Sequence, residues 1–123
     1  MALIYEWGFF IRPGALDPLR RWLAEKEEDL ARSAPEGLEY LGTYQPVWAP
    51  EQRCDMYQVW RWRRAGEFNL RAAAGADRGA FARLAGEFLR FVDDSRTDDE
   101  TFRLHRSVTD FAARPGVAGD RTG

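Results

Sequence analysis

The sequence predicts an α+β domain with the element order β-α-β-β-α-β. Four short segments are rich in aromatic and β-branched residues, two longer segments carry one apolar face at helical spacing, and Pro- or Gly-containing stretches separate them. Helices that are apolar on one side need a sheet beneath them, and two such helices cover only one face of a four-stranded antiparallel sheet. We therefore expect a two-layer domain with both helices on the same face of the sheet.

Composition and charge favour one folded domain and exclude several function classes. The 123 residues are 45% hydrophobic and 14% aromatic, which is enough for one core. Eighteen basic against twenty acidic residues give a net charge of −2, so we expect no nucleic-acid or membrane partner. The chain shows no leader pattern and no apolar run near the ~20 residues that span a bilayer, which predicts a cytoplasmic protein. One cysteine and one histidine cannot form a four-ligand zinc site, and we expect neither metal nor cofactor.

The first two elements are a strand and a long helix. Residues 2–12 have one wholly apolar and one mixed alternating face and stop at a Pro-Gly pair, which predicts a central strand. Asp17 is a suitable N-cap and Pro18 a suitable first residue for the helix that follows, and Pro35 ends it. The apolar face of this helix consists of Leu19, Trp22, Leu23, Leu30 and Ala31.

The middle of the chain predicts a hairpin followed by two helices. Residues 38–48 and 55–64 alternate as the second and third strands of an antiparallel pair. Residues 65–74 predict a short helix, and Asp77 caps a longer one. The apolar face of the longer helix consists of Phe81, Leu84, Ala85, Phe88, Leu89 and Val92.

The last part of the chain predicts a loop, a strand and a tail. Acidic residues between 93 and 100 oppose the dipole of a helix C-terminus, so we expect them in solvent beyond the second long helix. Residues 102–111 predict the fourth strand. The domain then spans residues 1–112, and residues 113–123 form a flexible tail.

The sheet face that the helices leave bare predicts a homodimer. Its candidate side chains are Phe10, Tyr44, Met56 and Trp60. This is more aromatic surface than a monomer normally exposes to water. A second copy of the same sheet, related by a two-fold axis, is the simplest cover.

Three stretches of sequence resemble a known family. They are YEWGFFIRPG followed by DPLRRWL, then Leu41 with Gly42, then MYQVWRW running into AGEFNLRAA, and together they span about residues 3–94. They resemble the NIPSNAP-like branch of the dimeric α+β barrel proteins, although this chain has Gly8 and Gln58 where arginine and histidine are common. The resemblance implies a ferredoxin-like protomer whose sheet closes into one barrel with that of a second copy. The wider superfamily contains uncharacterised proteins, cofactor-free monooxygenases, isomerases, polyketide cyclases and haem-degrading enzymes.

Strand alternation predicts which side chains line the barrel. We expect Trp7 and Val59 to face the helices. The side chains expected to face the barrel, with Tyr44 at its rim, are Glu6, Phe10, Gln58, Trp60, Arg103 and His105. An aromatic wall with a few polar groups is typical of a site for a small apolar or aromatic molecule.

Two classes of function fit these residues. The first is a dimeric barrel that binds a small apolar or aromatic molecule without catalysis. The second is a cofactor-independent monooxygenase, isomerase or cyclase with His105 and Glu6 as its acid/base pair, and with Tyr44 or Arg103 polarising a carbonyl group. The same residues also have structural interpretations, since His105 can be a partly exposed strand residue and Glu6 can form an ion pair that holds the dimer together.

Overall fold

Strands and helices alternate in the computed structural model in the predicted order. The model describes residues 3–48, 51, 54–63, 68–76 and 79–111. Its elements are β1 (Leu3–Phe9), α1 (Leu16–Ser33), β2 (Leu38–Tyr44), β3 (Met56–Trp62), α2 (Leu70–Ala76), α3 (Ala80–Leu89), a 3₁₀ helix (Asp94–Asp99) and β4 (Thr101–Arg106). The predicted cap Asp77 and the predicted tail 113–123 lie outside the described residues. Within the described ranges, no helix is long and apolar enough to cross a membrane.

The four strands form one antiparallel sheet in the order β2-β3-β1-β4. The first strand is central, as predicted from its one apolar and one mixed face, and it pairs with β3 on one side and β4 on the other. Trp7 lies opposite Gln58 on β3 and opposite Phe102 on β4. The α+β class and the ferredoxin-like topology are thereby confirmed.

An aromatic core fills the space between the sheet and the helices. Tyr5, Trp7 and Phe9 alternate along β1 on the face that packs against the helices, and all three are buried. Phe88 of α3 is fully buried, with its ring centroid 5.4 Å from that of Phe9 and 5.8 Å from that of Trp22 on α1. These edge-to-face contacts bind both long helices to the central strand.

The side chains of β3 point to the opposite sides of the sheet from those predicted. Directly opposed residues of an antiparallel pair lie on the same face of the sheet. Gln58 lies opposite Trp7, and Trp60 lies opposite Tyr5. Both therefore lie on the helix side. Val59 lies opposite Glu6 on the other side. Met56 is also buried against the helices, although it was expected on the bare face. Both alternating sets of β3 contain apolar residues, and the set with the larger side chains gains more from burial.

A bulge in β2 separates two tyrosines onto opposite faces. Tyr40 and Tyr44 are four residues apart and would share a face in a regular strand. The pairing with β3 shifts between Tyr40 and Gly42, so Tyr40 lies opposite Trp60 and Tyr44 lies opposite Tyr57. Gly42 takes a φ of 135° at this bulge, a conformation that favours glycine. Tyr44 reaches the bare face of the sheet for this reason.

Several element ends differ from the sequence prediction. The first helix begins at Leu16, so Asp17 lies in its first turn and is not its N-cap. The strand β2 ends at Tyr44 rather than at residue 48, and β4 ends at Arg106 rather than at residue 111. The acidic segment forms the exposed 3₁₀ helix, except for Glu100, whose side chain is buried.

We predict opposite effects from two Gly→Ala substitutions. A Cβ at Gly8 would lie 2.8 Å from both Cys54 Sγ and the Tyr57 ring, whereas a Cβ at Gly86 on α3 meets nothing within 4 Å. Gly8→Ala should lower the free energy of unfolding by about 1–3 kcal/mol through overpacking. Gly86→Ala should raise it by about 0.5–1 kcal/mol because alanine favours the helix. Urea unfolding measures both, and equal effects would contradict the close packing at Gly8.

Candidate functional site

The sheet face opposite the helices, here called the open face, carries alternating side chains of all four strands. From the cross-strand register they are Ile4 and Glu6 on β1, Glu39 and Tyr44 on β2, Tyr57, Val59 and Arg61 on β3, and Arg103 and His105 on β4. Arg61 donates to Glu39 at 2.9 Å across the β2–β3 pair. The open face is thus a mixture of apolar surface and charges of both signs.

A shallow depression of about 340 Å³ lies on the open face. It is lined by Glu6, Tyr44, Gln45, Pro46, Tyr57, Val59 and Arg103. Glu6 and Arg103 stand directly opposite each other in the β1–β4 register. The Tyr44 hydroxyl donates to the Leu41 carbonyl oxygen at 2.8 Å, which fixes its ring over the bulge. Three predicted site residues, Glu6, Tyr44 and Arg103, therefore meet in one place.

The other predicted site residues lie elsewhere. His105 is exposed on β4, opposite Ile4 and two residues beyond Arg103. Phe10 is buried beneath the 3₁₀ helix, with the Arg96 guanidinium carbon 3.5 Å from its ring centroid. Gln58 and Trp60 are fully buried on the helix side, so the expected barrel wall does not include them.

An apolar cavity of about 410 Å³ opens between the helices and the end of the sheet. It is lined by Ser33, Pro35, Leu38, Trp62, Phe68, Ala73, Gly79, Ala80, Phe81 and Ala82. The Phe68 ring lies 6.3 Å from Trp62 and 6.4 Å from Phe81, centroid to centroid, so three rings form its wall. The Ser33 hydroxyl already donates to the Leu30 carbonyl oxygen. The cavity therefore suits an uncharged molecule.

Sequence reasoning missed the apolar cavity, although a signal for it exists. Residues 72–80 consist mainly of alanine and glycine, between the aromatic residues Phe68 and Phe81. Small side chains on a helix leave unfilled space beside the large ones that flank them. Strand alternation could not reveal this cavity because most of its wall belongs to helices and connections.

A buried amide lies next to the aromatic wall. Trp60 Nε1 donates to Gln58 Oε1 at 2.8 Å. The Gln58 Nε2 atom is buried and has no hydrogen-bond partner within the part of the chain that the structure describes. The Trp60 ring in turn contacts Phe68 at 5.1 Å and Phe81 at 5.7 Å. A buried donor without a partner costs about 1–3 kcal/mol, so the packing around Gln58 must offset this cost.

A buried ion pair connects α2 to the central strand. The Glu100 side chain, only 2% exposed, accepts from Trp7 Nε1 at 3.0 Å and from Arg71 at 2.8 Å. The Arg71 guanidinium also lies over the Trp7 ring at 5.6 Å. Burial raises the pKa of Glu100, and this exceeds the opposing effects of Trp7 and Arg71. The expectation that Glu100 is in solvent is wrong, because the pairing of β4 with β1 brings it to Trp7.

Comparisons with known proteins identify the fold. A NIPSNAP family protein from Agrobacterium tumefaciens superposes with a TM-score of 0.55 and 10% identity over 87% of each chain. A conserved protein from Methanosarcina mazei Go1 gives 0.52 and 14% identity over 87% of this chain and 93% of that one. No family model and no curated protein matches the sequence. The resemblance to NIPSNAP proteins is confirmed for the fold, which is what such identities establish.

We predict that the buried carboxylate makes stability depend on pH. Since the native state raises the pKa of Glu100 above its usual value of 4.5, it binds a proton more readily than the unfolded chain does. The contribution of Glu100 to the free energy of unfolding is therefore largest below pH 4.5 and is lost as pH rises through the raised pKa. The stability difference between wild type and Glu100→Gln should shift in favour of wild type from pH 7 to pH 4. Urea unfolding at both values tests this, and an opposite shift would contradict it.

Proposed function

We propose that the protein is a homodimer joined through the open face, and that each protomer binds a small apolar or aromatic molecule in the apolar cavity. The observation that carries the binding proposal is the aromatic wall of Trp62, Phe68 and Phe81 around about 410 Å³ of space. Sites for small molecules have volumes of about 300–1,000 Å³ and mostly apolar linings. The cavity meets both criteria, and its lining suits an uncharged ligand.

The dimer proposal is supported by the self-complementary character of the open face. Apolar side chains such as Tyr57 and Val59 stand beside the acidic Glu6 and the basic Arg103. In a two-fold interface the same patch of each protomer meets its copy. Acidic side chains of one protomer can therefore pair with basic side chains of the other. In such a dimer the depression between these side chains becomes an enclosed part of the barrel.

A cofactor-independent enzyme is the second candidate. The observation that favours it is the meeting of Glu6, Tyr44 and Arg103 in the depression on the open face. There a carboxylate can accept a proton while a guanidinium polarises a carbonyl group. A turnover that Glu6→Gln or His105→Ala removes would favour this candidate over simple binding.

We predict that filling the apolar cavity abolishes binding of a hydrophobic probe. N-phenyl-1-naphthylamine should gain fluorescence with the wild type, because its rings can pack against the aromatic wall of Trp62, Phe68 and Phe81. Ala73→Phe places a ring inside the cavity and should weaken binding at least about 30-fold, since it removes on the order of 2 kcal/mol of contact. Ala72→Phe is the control, because Ala72 is exposed on the same helix. Equal binding by both variants would contradict the cavity as the site.

We predict that a charge in the middle of the open face separates the protomers. Val59→Lys places an ammonium opposite Glu6 of its own chain, which the fold tolerates, but buries it in the proposed interface. The dissociation constant should rise by about 30-fold or more. Sedimentation equilibrium measures it, and Ala24→Lys on the exposed side of α1 is the control. A wild type that sediments as a monomer at micromolar concentration would contradict the dimer.

A further inference from the structure

Two exposed apolar features lie at the opposite edges of the sheet. The segment after β2, residues 45–48, here called the arm, ends in Val47 and Trp48, which are 100% and 82% exposed. The other feature, here called the groove, lies on the helix side of β4. It has about 340 Å³ of space and is lined by Tyr5, Asn69, Phe102 and Leu104. Phe102 and Leu104 are 52% and 58% exposed there.

The arm of a protomer does not occupy the groove of the same protomer. The order β2-β3-β1-β4 places them at opposite edges, three strand spacings or about 14 Å apart. Gln45 and Pro46 lie against their own open face, but the Trp48 side chain is 82% exposed and is not packed against its own sheet. Trp48, Phe102 and Leu104 are large apolar side chains that each expose more than half of their surface, which is typical of a contact site.

A two-fold axis parallel to the strands brings the arm of one protomer to the groove of the other. Such an axis reverses the order of the strands, so β2 of one protomer meets β4 of its partner. Since β2 and β4 run antiparallel within the sheet, the end of β2 at Tyr44 and the start of β4 at Phe102 lie at the same end. Rotation about this axis keeps that end in common, so the arm arrives at the partner's β4 edge. Trp48 then passes this edge to reach Phe102 on the helix side.

The open face alone is smaller than a stable interface, which favours additional contacts between the arm and the groove. Four strands of six or seven residues give an open face of about 20 Å by 20 Å, or about 400 Å². A stable interface buries about 800 Å² per partner. A tryptophan buries about 150–250 Å², so a Trp48 buried in a groove contributes a large part of the difference. The groove already holds a ring pair, Tyr5 and Phe102, with centroids 6.0 Å apart, against which an indole can pack.

We propose that Trp48 of each protomer inserts into the Tyr5–Phe102–Leu104 groove of a second copy of this chain. The proposal rests on the dimer of the proposed function and adds its geometry: an axis along the strands and two exchanged arms. In this arrangement the partner's Trp48 completes each groove. The arms also fix which edges meet, which the open face alone does not.

Cysteine cross-linking tests the exchange directly. Trp48→Cys protein is mixed with Leu104→Cys protein, oxidised mildly and analysed on a non-reducing gel. The mixture should give a covalent dimer, and each variant alone should not, because like residues lie at opposite edges. Ala24→Cys mixed with Leu104→Cys is the matched control, and the native Cys54 is buried in the wild-type fold.

A second measurement separates this inference from the dimer itself. Trp48→Ala should raise the dissociation constant of the dimer by about 30-fold or more, and Trp48→Phe should restore much of the affinity because its ring still enters the groove. A dimer of unchanged affinity in Trp48→Ala, with no cross-link between positions 48 and 104, would overturn the inference and leave the dimer standing. A monomeric wild type would overturn both.

Discussion

The register between β1 and β3 is the constraint on which the rest of the structure depends. It places Trp7 opposite Gln58 and Tyr5 opposite Trp60, and so collects the large aromatic rings on one side of a single-layer sheet. Both long helices pack on that side through Phe88 and Trp22. A slip of one residue would exchange the two faces of β3 and put Val59 and Glu6 on different sides. The aromatic core and the mixed open face are therefore two results of one pairing.

The two sides of the sheet are suited to different tasks. The helix side holds an apolar cavity because alanine and glycine on α2 and α3 leave space between Trp62 and Phe81. The open face holds charges of both signs among apolar side chains, which is compatible with the proposed two-fold interface. The proposed binding and the proposed assembly can therefore be tested separately, since no lining residue of the apolar cavity belongs to the open face.

Buried polar groups mark where the core departs from simple apolar packing. Glu100 is stabilised by Trp7 and Arg71, and it holds α2 against the central strand. Gln58 is only half satisfied, since Trp60 bonds its carbonyl oxygen while its amide nitrogen has no partner among the described residues. Breaking either arrangement would leave a buried donor or charge unpaired, which costs more than the contact itself contributes. Both groups lie on the side of the sheet that carries the apolar cavity.

The sequence by itself determined the α+β class, the element order, the central position of β1 and a sheet that is bare on one side. These follow from periodicity and from Pro and Gly positions, which are local properties. Strand alternation also predicted that Glu6, Tyr44 and Arg103 lie at one site. The predicted faces of Gln58 and Trp60 and the predicted exposure of Glu100 were wrong. Both alternating sets of β3 are partly apolar, and the pairing partner of Glu100 lies 93 residues away. Only the tertiary structure decided these positions, because register and burial depend on which strands and helices meet in space.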